Sequence, residues 1–177
     1  MRLGTALTGV ALATAVSIGA WAAAVKIKFP SYQSADFVRY TTVDKPERKP
    51  PIVRFLYMNK TAWDAAKPGE ALPAHTILVM EDHKAKLDDS GAPAKSSDGR
   101  LIPTDELTGV FVQEKQPGWG ADYPAELRNS TWEYAHFEPA GELKADAKYE
   151  NCLTCHMKQA AEDFTFTAAK RVAEAKK

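Results

Sequence analysis

At 177 residues the chain has the length of one domain, and 45% hydrophobic residues supply enough apolar side chain for a core. Lys plus Arg equals Asp plus Glu at 23 each, so no basic footprint marks a nucleic-acid binder and no charged block marks a tail. Only two cysteines are present, Cys152 and Cys155, so a disulfide could close no more than one small loop.

Arg2 followed by an uncharged apolar run to Val25, ending in Trp21-Ala22-Ala23-Ala24, has the form of an export signal cleaved after Ala24. Residues 1–24 are therefore expected to be a signal peptide. The alternative is a retained anchor, since the run is long enough to span a bilayer, although it is rich in Ala, Gly and Thr. Either reading places residues 25–177, expected to be a single domain, outside the cytoplasm and in the periplasm.

Further along, Phe37-Val38-Arg39-Tyr40 reads as a short helix or strand, followed by a charged, proline-rich loop over Lys45–Pro51. Ile52–Met58 is branched and aromatic, which predicts a strand. Thr61–Lys67 predicts one or two helical turns, capped near Asn59 or Thr61 and stopped by Pro68-Gly69. Thr76–Met80 is apolar on both faces, which predicts a central strand with a polar extension to Lys86. A loop or hairpin is expected between Asp88 and Pro103, then a strand over Leu107–Lys115, broken by Gln116-Pro117-Gly118-Trp119-Gly120. Thr131–Phe137 alternates like a strand, and Lys158–Lys177 favours a helix. Strands in the middle and helix at the end predict an α+β fold, a mostly antiparallel sheet with flanking helices.

Near the C-terminus stands Cys152-Leu153-Thr154-Cys155-His156. Two thiols three positions apart could bind a metal together with His156, but a histidine directly after the second cysteine points to c-type haem attachment. Both thiols would become thioethers to one haem c, and His156 would be its iron ligand. The opposite side of the iron is then either closed by a second residue or open to small molecules. Met157 adjoins His156 and cannot reach that side. Met58 and Met80 lie on predicted strands, where packing is methionine's ordinary role. His75, His83 and His136 are the remaining candidates. An open sixth position is the expected state, and a six-coordinate electron carrier closed by Met or His is the alternative. Prolines recurring from Pro46 to Pro139 leave no room for the long helices of a four-helix haem bundle.

Val53-Arg54-Phe55-Leu56-Tyr57-Met58-Asn59, Leu72 to Glu81, Gly118 to Pro124, Trp132-Glu133-Tyr134 and the terminal haem motif, in this order, resemble the cytochrome P-460 family, which includes the β-sheet cytochromes c-prime. The resemblance covers about Phe37 to Phe166. It implies a periplasmic, mostly antiparallel domain, usually dimeric, with a five-coordinate haem. One branch of that family oxidises hydroxylamine and carries a lysine cross-linked to the porphyrin; the other binds nitric oxide or carbon monoxide in an aromatic pocket. Lys84 and Lys86 are the candidates for a cross-link, with two solvated lysines as the plain alternative. Phe55 and Phe111 are candidates to wall an apolar distal pocket, or else ordinary core residues. Hydroxylamine oxidation would need a proton acceptor, for which Glu81, Glu114 and Glu133 are candidates. Trp119 and Trp132 are expected to pack against or cover the haem region. The expected partners are a small nitrogen species such as nitric oxide or hydroxylamine and a periplasmic redox protein. Asn59-Lys60-Thr61 and Asn129-Ser130-Thr131 match a glycosylation pattern too short to carry weight.

Overall fold

The computed structural model describes residues 25–176. The expected signal segment, residues 1–24, lies outside them. Among the described residues no helix is long and apolar enough to cross a membrane.

Five strands form one antiparallel meander: β1 (Phe37–Lys45), β2 (Ile52–Asn59), β3 (Ile77–Ala85), β4 (Pro103–Lys115) and β5 (Trp132–Phe137), ordered β1-β2-β3-β4-β5 across the sheet. The helices are α1 (Lys60–Ala65), α2 (Tyr149–Met157) and α3 (Ala168–Ala175), so the α+β expectation with a mostly antiparallel sheet holds. β3 is the middle strand, as its two-sided apolar sequence predicts. The segment over Phe37–Tyr40 is strand, and it runs on to Lys45. The Asp88–Pro103 stretch closes on itself through bridges between Leu87 and Pro93 and between Lys95 and Leu101.

The C-terminal tail departs from expectation. Helix α2 begins before the haem motif and contains it, and the predicted Lys158–Lys177 helix exists only over Ala168–Ala175. Between them the chain makes a short 3-10 turn and then places Asp163 and Phe164 consecutively in the left-handed region, at φ 50° and 58°. Non-glycine residues there interrupt a right-handed helix outright.

Strand alternation divides the sheet into two faces. Cross-strand pairs Leu56–Met80, Met80–Phe111 and Phe111–His136 put those four residues on one face. Two positions along the strands, Met58, Leu78, Gln113 and Tyr134 share that face, and the helices pack there. Its core joins Met58, Leu78, Trp132 and Tyr134 to Leu72, Leu153 of α2, and Ala168 and Val172 of α3. The opposite face carries Val79, Val110, Val112, Ala135 and Phe137, covered by Ile27 and Tyr32 from the chain before β1.

Candidate functional site

Helix α2 carries the cysteines at i and i+3, a spacing that sets both on one side of a helix. Leu153 between them is buried in the core and anchors the helix to the sheet, leaving Cys152 half-buried and Cys155 exposed. Asn129, fully buried, ties the same helix down. Its Nδ2 donates to the Leu153 carbonyl at 3.1 Å and to the Tyr134 hydroxyl at 2.8 Å. A buried amide so engaged cannot accept a glycan in the folded chain.

The two thiols are free. Burial pushes the Cys152 thiol up from its ordinary value, with Cys155 adding to the effect. Reactive or metal-bound thiols sit where their pKa is depressed, so this environment does not activate Cys152. Among the described residues no three His, Cys, Asp or Glu side chains gather as a metal-holding group.

His156 is held from three sides. Its Nδ1 lies 2.7 Å from the Phe164 carbonyl, which can only accept, so Nδ1 carries the proton and Nε2 carries the lone pair. The imidazole sits 4.8 Å from the Tyr134 ring and edge-on at 5.0 Å to Phe166. Burial holds its pKa below the ordinary histidine value, with the Phe164 carbonyl opposing, which favours the neutral ligand form. Phe166 is 46% exposed, an apolar surface beside the imidazole that a flat macrocycle would cover. The donor set therefore fits a haem: two thiols on one side of a helix, and next to them a neutral histidine presenting Nε2. Cys152 and Cys155 would hold the group and His156 would ligate its iron.

The other residues singled out from sequence separate cleanly by face. Phe111 shares the face of Tyr134 and α2, and stacks on His136 with ring centroids 4.0 Å apart. Gly109 permits that stack, since a Cβ there would come within 3.0 Å of His136 Nε2. Phe55 lies on the opposite face, under the Arg39 guanidinium and beside His83, so it does not share a space with Phe111 in this chain. Alternation along β2 explains the separation, because Phe55 neighbours Leu56 and so points away from it.

All three glutamates are on that opposite face as well. Glu81 is buried, accepts from the Tyr57 hydroxyl at 2.7 Å, and has His83 Nε2 at 3.1 Å on the same oxygen; its second oxygen has no partner. Glu133 is buried, accepts from the Tyr123 hydroxyl at 2.5 Å, and pairs across the strands with Glu114. Glu114 in turn accepts from Gln116 Nε2 at 2.6 Å. None of the three joins His156. Lys84, at the far end of β3, is ion-paired with Glu106, and Lys86 is exposed beyond the strand. Trp132 packs fully buried in the core with Leu153, whereas Trp119 packs against the other face.

Of the candidate second ligands, Met80 and His136 are half-buried on the His156 face. Met58 is sealed in the core, His83 is on the opposite face, and His75 is exposed with Nδ1 2.5 Å from Gln116 Oε1.

Several residues of the site carried no motif. Gln113 and Lys115 are polar at positions in phase with inward-facing Phe111, and that break in pattern is the sequence signal that they have buried partners. The Phe164 carbonyl is backbone and leaves no sequence signal.

A sequence model of the family described as Cytochrome P460 matches residues 30–167. No curated protein shows significant sequence similarity to the chain.

Proposed function

The chain belongs to the cytochrome P460 family and is a haem-binding cytochrome; from that premise we propose that it is exported to the periplasm and carries one haem c, covalently tied to Cys152 and Cys155, that binds or converts small nitrogen species such as nitric oxide or hydroxylamine. The observation that carries this reading is the contact between His156 Nδ1 and the Phe164 carbonyl. With Nδ1–H committed to the Phe164 carbonyl at 2.7 Å, Nε2 carries the lone pair that would ligate the iron of a bound haem. When bound, the haem would supply an iron centre able to take a small ligand or exchange an electron.

The chain's own residues hold and shape the surroundings. Leu153 and Asn129 fix α2 on the sheet, so that Cys152 and Cys155 present their sulfurs from a rigid turn. Tyr134 and Phe166 set the plane of the imidazole. Phe111 and His136 form a stacked apolar and polar pair on the same face, suited to bordering a small ligand. The uncharged run before residue 25 supports export. A periplasmic redox protein and a second copy of this chain are the partners that this reading calls for.

One observation favours a second reading. Met80 and His136 share the face of His156, and either one closing the coordination would make a six-coordinate electron carrier. The absorption spectrum of the ferrous protein separates the two. A five-coordinate, high-spin spectrum that shifts on adding nitric oxide supports the first. A low-spin spectrum that ignores added ligand removes it, and then Met80→Ala and His136→Ala identify the closing residue.

A further inference from the structure

We propose that Lys115 and Asp163 are positioning residues that set the strength of His156 as an iron ligand, by fixing the carbonyl that holds its imidazole; this rests on the haem reading above. Asp163 and Phe164 occupy the left-handed region one after the other, at φ 50° and 58°. That region strains side chains other than glycine, and Phe164 has no polar side chain to offset it, although its backbone N–H donates to the Gln159 carbonyl at 2.8 Å. A further hold reaches the turn from outside it.

That hold is the Asp163 carboxylate. Its Oδ1 and Oδ2 accept from Lys115 Nζ at 3.0 and 2.8 Å, and Oδ2 also accepts from the Leu72 backbone N–H at 2.8 Å. Lys115 donates a further bond to the Leu72 carbonyl at 2.8 Å, so its three N–H groups have acceptors. Both side chains are close to nine-tenths buried, at 11% and 10% exposure, so the pair is poorly screened by water. The end of β4, the Leu72 segment and the turn after α2 are thus pinned at one point.

The turn's output is the Phe164 carbonyl. It accepts from His156 Nδ1 at 2.7 Å and from Gln113 Nε2 at 3.0 Å. Gln113 is two positions before Lys115 on β4, so one strand grips both residues of the turn. A carbonyl accepting from Nδ1–H makes the imidazole a stronger donor through Nε2, which favours oxidised iron and lowers the reduction potential. Releasing the Asp163 carboxylate would let the turn relax, lengthen the Nδ1 bond and weaken the ligand.

The test uses the haem-loaded protein and the variants Asp163→Asn, Lys115→Met and their combination. Asparagine tolerates the left-handed region, so Asp163→Asn removes the charge without new strain; Asp163→Gly serves as a second variant should either of the others fail to fold. The readouts are the iron–histidine stretching frequency of the ferrous protein by resonance Raman and the reduction potential by redox titration. We expect each single variant to lower the stretching frequency and raise the potential. The double variant should go no further than the larger single, because both changes break one device. Variants that fold, hold haem and keep both readouts at wild-type values overturn the proposal, as do shifts that simply add. A wild-type protein without haem overturns the haem assignment itself, and this proposal with it.

Discussion

His156 donates Nδ1–H to the backbone carbonyl of Phe164 at 2.7 Å, eight positions along the chain, across a turn with two residues in the left-handed region. That bond decides which ring nitrogen is available to a metal. It also makes the histidine's orientation a property of the turn after α2 and not of α2 alone.

Anchoring of α2 should be measurable as stability. Leu153→Ala removes a buried side chain from the core that joins helix to sheet and should cost about 2–5 kcal/mol. Asn129→Ala deletes the donor shared by Tyr134 and the Leu153 carbonyl and should cost about 1–3 kcal/mol. Urea unfolding of both variants checks this; a loss well under 1 kcal/mol for both would contradict the packing.

Phe55 and Phe111 should part company in function. Phe111→Ala, on the His156 face, should change nitric oxide affinity by about tenfold, the equivalent of ~1.4 kcal/mol. Phe55→Ala, on the opposite face, should leave both the spectrum and the affinity unchanged. Ligand titrations of the two variants settle it, and equal effects would refute the assignment of faces.

His136 should contribute to acid sensitivity. Burial lowers its pKa from the ordinary value of 6.5, helped by the Lys144 cation and opposed by Glu138, Asp146 and Asp82. Below 6.5 the unfolded chain therefore binds a proton that the folded chain resists. Its contribution to stability is complete at higher pH and is lost as pH falls through and below that value. Denaturation between about pH 7 and pH 5 should show a shallower loss for His136→Asn than for wild type. An identical slope would remove His136 from the account.

The haem-free protein should distinguish its two thiols. Cys155 is exposed, whereas Cys152 is half-buried with its pKa raised, so less thiolate is present at Cys152 near neutral pH. Alkylation followed by peptide mass analysis should label Cys155 well ahead of Cys152, and the reverse order would contradict the burial of α2's inner side.

The strands were legible because their patterns are local. Ile52–Met58 and Thr76–Met80 are branched, apolar runs, and both are strands at the core of the sheet. Cys152, Cys155 and His156 announce themselves by spacing. What a single sequence does not disclose is register. The phase that sets Phe111 beside His136, and Phe55 and three glutamates on the other face, depends on the pairing register between each strand and the next, across loops of varied length. The tail departs from its local pattern for a similar reason: Ala, Glu and Lys over Lys158–Lys177 favour a helix, and at the interruption Asp163 is paired with Lys115, 48 positions away. Tertiary contact there outweighs local propensity.

Mass analysis of the matured protein after acid denaturation and treatment with a thiol-alkylating reagent decides whether haem is covalently tied to this chain. We expect a chain heavier by one haem, with that mass on the peptide spanning Cys152 to His156 and neither cysteine alkylated. A chain at its bare polypeptide mass, with both cysteines alkylated and any haem released into the solvent, would contradict it.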